Sequence, residues 1–135
     1  MEPLISIRQH NARRIYHPGE LLVCDYQIDA VEPEALYAVE ASVLWYTEGK
    51  GEEDLGVHFF QRRTKFDAEE GDLRQLHRFQ TVLPRSPLSY YGVLFRIIWC
   101  VRVRVFLPRG RQYQAEQTFQ LGPLHTAYTL CPTSP

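Results

Sequence analysis

The chain has 135 residues, 44% of them apolar and 13% aromatic, which suits one packed globular domain and not a disordered chain. Its longest nearly apolar run, residues 93–101, is broken by Arg96 and is too short to cross a bilayer, and Met1-Glu2-Pro3 shows no secretory signal, so membrane insertion is not expected. The formal net charge is −1, which argues against nucleic acid as the main partner, but residues 1–72 hold fifteen acids and seven bases while residues 73–135 hold eight arginines and one acid, Glu116.

Apolar and polar residues alternate with period two along most of the chain. Leu4-Ile5-Ser6-Ile7-Arg8 opens as a short strand. Arg13-Arg14-Ile15-Tyr16 runs into a turn at His17-Pro18-Gly19. Leu22, Cys24, Tyr26 and Ile28 then alternate with Val23, Asp25, Gln27 and Asp29, the pattern of a half-buried strand. Val31-Glu32-Pro33-Glu34 reads as a connection with room for one helical turn. Val39, Ala41, Val43 and Trp45 mark the inner face of the next strand, with Glu40, Ser42, Leu44 and Tyr46 on its outer face.

Gly49-Lys50-Gly51-Glu52-Glu53-Asp54 is a charged hairpin loop. The chain returns as a strand over residues 55–66 and reverses at an acidic turn over residues 67–72. Residues 73–83 form another strand, with Phe79, Thr81 and Leu83 on one face, and Pro84 and Pro87 bracket a loop. The strongest strand pattern spans residues 94–107. There Ile97, Trp99, Val101, Val103 and Val105 oppose Arg96, Ile98, Cys100, Arg102, Arg104 and Phe106. Pro108-Arg109-Gly110 predicts a type I turn, and residues 112–121 complete the hairpin with Phe119 and Leu121 inward. Residues 123–135 lose periodicity and form a C-terminal tail beyond a domain of residues 1–122. Seven to eight turn-bounded strands predict an all-β, antiparallel, two-sheet immunoglobulin-like sandwich.

The chemistry-bearing residues point away from catalysis. His10, His17, His58, His77 and His125 form no HxxxH or HExxH pattern, and none pairs with cysteine at zinc-finger spacing. His58 and His77 could meet across neighbouring strands, but rim histidines are the simpler expectation. The acidic turn over residues 67–72 lacks the alternating ligand positions of a calcium loop. Ser86 and Ser89 stand outside GxSxG, and Ser89 is expected to bond its own turn. Cys24, Cys100 and Cys131 are odd in number and share no CxxC spacing, so reduced thiols and a cytoplasmic location are expected. No cofactor and no enzyme activity are expected.

Two charged groups compete as a binding surface. The first is the loop with Glu48, Lys50, Glu52, Glu53 and Asp54, whose charge exceeds what a hairpin turn needs. The second is a basic face of Arg96, Arg102, Arg104, Arg109 and Arg111. For the arginines, ion pairing with the acidic first half is the preferred reading. The halves are then neutralised in part, leaving a bipolar surface.

Ordered along the chain, Tyr16-His17-Pro18-Gly19-Glu20, Phe79-x-Thr81-x-Leu83-Pro84, Ser89-Tyr90-Tyr91-Gly92 and Ile97-x-Trp99-x-Val101 resemble the motifs of one lobe of an arrestin-type β-sandwich, a type shared by bacterial sporulation-control proteins. The physics of each motif is plain. Proline fixes φ, glycine accepts the reversed φ of a tight turn, and Leu-Pro ends a strand because proline cannot donate to the ladder. The resemblance spans residues 4–122 and covers one lobe where arrestins have two. It implies a non-catalytic protein-interaction or scaffold module, bacterial and cytoplasmic, with an unidentified protein partner and self-association through a sheet edge as an option. The alternatives are a small-ligand-binding or nucleic-acid-binding accessory domain and, third, an enzyme of unknown class.

Overall fold

The computed structural model describes residues 2–67, 71–123 and 125–126. Seven strands of six or more residues carry the architecture: β1 (Leu4–Gln9), β3 (Leu21–Asp29), β4 (Ala38–Gly49), β5 (Leu55–Thr64), β6 (His77–Val82), β8 (Phe95–Phe106) and β9 (Gln112–Leu121). Three two-residue segments, β2 (Ile15–Tyr16), β7 (Tyr90–Tyr91) and β10 (His125–Thr126), take the total above the expected seven to eight. The only helical geometry among the described residues is 3-10, at Pro33–Ala35 and Pro108–Gly110.

The small sheet has the order β1-β3-β6, all antiparallel. In the large sheet β5 pairs with β4 and β4 with β8. The far side of β8 is shared, with β7 along its start and β9 along the rest. The sandwich is not purely antiparallel: β2 runs parallel to β9, and β10 parallel to β7. The β2 ladder satisfies the end of β9, where the Gln120 amide donates to Arg14 O at 2.8 Å and the Gly122 amide to Tyr16 O at 2.7 Å. Unpaired backbone groups at such a sealed end would be costly.

The inward faces are those the alternation predicts. Leu22, Cys24, Tyr26, Ile28 and Phe79 of the small sheet pack against Val39, Ala41, Val43, Trp99, Val101, Val103, Val105, Phe119 and Leu121 of the large one. Trp99 is 1% exposed, and its indole N–H donates to Pro87 O at 2.8 Å, so its one polar atom is satisfied inside the core.

Two local expectations change. β6 begins at His77, not Leu73. The Asp72 side chain accepts from the Arg74 amide at 2.9 Å and folds residues 72–75 into a turn that still buries Leu73. The turn at Pro108 is not type I, because Arg109 has φ 66 and Gly110 φ 71, and positive φ at both central residues is the type I′ pattern. Ile98, Leu44 and Cys100 lie on the outer face of the large sheet yet are at most 8% exposed. Leu44 sits between Val57 and Cys100 in register, so its neighbours shield it.

Candidate functional site

The β4–β5 hairpin tip is held shut by Thr47. Its hydroxyl accepts from the Asp54 amide at 2.7 Å, and its own amide donates to Asp54 O at 3.0 Å. The tip also docks sideways, with the Lys50 amide donating to Leu94 O at 3.0 Å. That approach needs glycine at position 49. Gly49 has φ +134, and a Cβ there would stand 2.4 Å from Leu94 O. Val93 and Leu94 are 84% and 65% exposed, so an apolar tip stands beside the acidic loop. Thr47, Lys50, Glu53, Asp54 and Phe95 border a hollow of about 220 Å³ between them.

The two candidate surfaces meet at one ion pair. Glu48 and Arg96 are register partners, and the guanidinium lies 2.5 Å from the carboxylate. Glu52, Glu53 and Asp54 are exposed and make no ion pair among the described residues. The other arginines are dispersed. Arg102 donates to Glu116 at 2.6 Å, Arg104 to the Gln114 side chain at 3.2 Å, and Arg111 to Pro108 O at 3.4 Å. Arg109 is exposed at the turn. At roughly 3.4 Å per residue, Arg96 and Arg104 lie roughly 27 Å apart along β8, so the five arginines do not form one compact cluster. The ion pairing expected with the acidic half holds for Arg96 and not for Arg102, whose partner is the one acid of its own half. Arg62 pairs with Glu40, both from the first half.

Sequence reading missed a charged cluster on the small sheet. Asp25 is 4% exposed and accepts from Arg78 Nε at 2.8 Å, with His10 Nε2 2.9 Å away. The Arg78 hydrogen bond, helped by His10 and opposed by burial, holds the carboxyl down at about 2. The alternation placed Asp25 facing outward, but its partners come from strands distant in sequence. Arg63 was also missed. It is 8% exposed and donates to Tyr26 OH at 3.1 Å.

The histidines at the β5–β6 side tie the two sheets together. His58 Nε2 lies 2.8 Å from Val82 O, and His77 Nε2 lies 3.1 Å from Gln61 Oε1. Among the described residues no group of three His, Cys, Asp or Glu could hold a metal ion. Ser89 does not bond its own turn. It is 1% exposed, and its hydroxyl accepts from the Leu121 amide at 2.8 Å, clamping β7 to the end of β9. Burial pushes the Cys24 and Cys100 thiols up to about 12. Cys131 and most of the expected tail over residues 123–135 lie outside the described residues, as do three residues of the acidic turn.

No protein-family profile matches the chain, and no curated protein matches it in sequence. Among solved structures it is similar to Spo0M, sporulation control protein, from Bacillus subtilis, with a TM-score of 0.59 and 12% identity over 90% of this chain and 49% of that chain. The chain thus spans about half the length of that protein. What the two share is the arrestin-like β-sandwich fold.

Proposed function

We propose that this arrestin-like sandwich is a non-catalytic protein-interaction module that contacts its partner through residues 48–54 and the apolar tip beside them. One observation carries the reading. Exposed Val93 and Leu94 stand against a loop whose Glu52, Glu53 and Asp54 are solvent-facing, a small apolar centre with an acidic rim. The partner surface that fits is apolar with a basic surround. A structural hairpin needs none of this charge. The burial of the Cys24 and Cys100 thiols and the engagement of the Ser89 hydroxyl with the Leu121 amide support a non-catalytic reading among the described residues. Two buried free thiols and the bacterial origin of the structural neighbour support a bacterial, cytoplasmic protein.

The test begins with affinity capture and mass spectrometry to identify the partner. Its association rate is then measured with Glu52, Glu53 and Asp54 replaced by Ser. The melting temperature is expected to hold, and association to slow by about three- to tenfold at low salt with a weaker salt dependence. Unchanged association, together with binding lost in Arg102→Glu/Arg104→Glu protein that remains folded, would move the interface to the arginine face and overturn this assignment.

A further inference from the structure

From residue 52 to residue 65 the chain reads acidic, then apolar, then basic: Glu52-Glu53-Asp54, then Leu55-Gly56-Val57-His58-Phe59-Phe60-Gln61, then Arg62-Arg63-Thr64-Lys65. This stretch is β5 with its flanks. Among the described residues β5 pairs only with β4, so it is an edge of the large sheet. An unpaired edge offers a row of backbone donors and acceptors to another strand. β5 has no proline, and its charged residues, Arg62 and Arg63, are confined to its C-terminal end, so residues 55–61 carry neither of two common ways of blunting an edge. A bulge opposite Val43 and Leu44 kinks the strand midway.

The outer face beside this edge is apolar. Leu55, Val57 and Phe60 are 54%, 54% and 55% exposed. In register they adjoin Tyr46, Leu44 and Ser42 of β4, and beyond these lie Ile98, Cys100 and Arg102 of β8. The apolar strip therefore runs from the open edge inward over the sheet.

We propose that β5 pairs antiparallel with β5 of a second copy, giving a two-fold dimer whose large sheets run on across the axis. Charge selects the second copy as occupant. Glu52, Glu53 and Asp54 are exposed at one end of the strand, and at the other are Lys65 and Arg62, the latter still exposed while paired with Glu40. In an antiparallel self-pair the acidic end of each copy lies beside the basic end of its mate, and two-fold symmetry makes the contact twice. A parallel self-pair would set like charges together. The same symmetry joins the two apolar strips. The dimer does not depend on the partner reading above, and its test contains no partner.

Sedimentation equilibrium is run on the full chain from about 10 µM to 1 mM, a range that covers weak, transient association. Twice the chain mass is expected at the upper end, dissociating as salt is raised. Two charge-reversal proteins are then compared, Arg62→Glu/Lys65→Glu and Glu53→Lys/Asp54→Lys. Each alone carries like charges at both contacts and is expected to dimerise at least about tenfold more weakly. Their equimolar mixture restores opposite charges at both contacts and is expected to dimerise again, a rescue that unfolded protein could not give. Val57→Asp/Phe60→Asp, checked by circular dichroism for retained sheet, is expected to be monomeric. A monomeric wild type across the range overturns the proposal. So does a dimer indifferent to salt, to both reversals and to their mixing, since such a dimer pairs through another surface.

Discussion

Asp25 shows how a single residue draws its state from distant strands. In register it lies between Arg8 of β1 and Arg78 of β6, and only the guanidinium of Arg78, with His10, offsets the cost of burying its carboxylate. Its folded value of about 2 lies below the ordinary 3.8. A depressed carboxyl adds stability that is fully present above the unfolded value and is lost as pH falls through the folded one. The contribution therefore holds above about pH 4 and fades toward pH 2. Asp25→Asn is expected to lose about 1–2 kcal/mol at neutral pH and to have a flatter stability profile between about pH 4 and 2. Urea unfolding at several pH values reads both. Parallel acid loss in the two proteins would mean that another carboxylate governs this window.

At the scale of elements, the β8–β9 hairpin shows what turn chemistry decides. The type I′ geometry at Arg109 and Gly110 matches the right-handed twist of the strands it joins, as a type I turn does not. Pro108 therefore precedes the two central positions, and Arg109 takes a left-handed conformation that costs a residue with a Cβ about 1–2 kcal/mol. Asparagine tolerates this region better. Arg109→Asn is expected to raise stability by up to about 1 kcal/mol, read as a higher melting temperature. A lower melting temperature would show that the arginine side chain holds the turn. Reading Pro-Arg-Gly by residue preference alone places proline one position too far into the turn, because the flanking twist is not part of that tripeptide.

At the scale of the molecule, the charge split between the halves is resolved in part. Arg78–Asp25, Arg96–Glu48 and Arg74–Asp72 cross it, while Arg62–Glu40 and Arg102–Glu116 do not. The exposed loop acids remain outside these pairs. The core isolates the thiols. Cys24 and Cys100 are both 0% exposed, one inside the sandwich and one under the outer face. Two of the three thiols are expected to resist an aromatic disulfide reagent in the native protein and to label at the rate of opening. The proposal for the third, Cys131, is rapid labelling. Fast labelling of Cys24 and Cys100 without denaturant would contradict their burial.

The fold type was legible in the sequence because alternation is a local property. Side chains on a strand point to opposite faces every other residue, so Val39-x-Ala41-x-Val43 and Trp99-x-Val101-x-Val103-x-Val105 declare their inner face wherever the strand ends up. The acidic loop was legible for the same reason, as a charged break between two such runs. Partner choice was not. The meeting of Glu48 with Arg96, the grip of Ser89 on Leu121, the burial of Asp25 under Arg78 and the open edge of β5 all join residues distant in the chain. Each arises only when strands are ordered side by side. Sequence by itself determined which residues face inward, and the tertiary structure decided which strands lie next to one another. Inward facing is set by backbone geometry one residue at a time, whereas pairing is set by the closure of the whole sandwich.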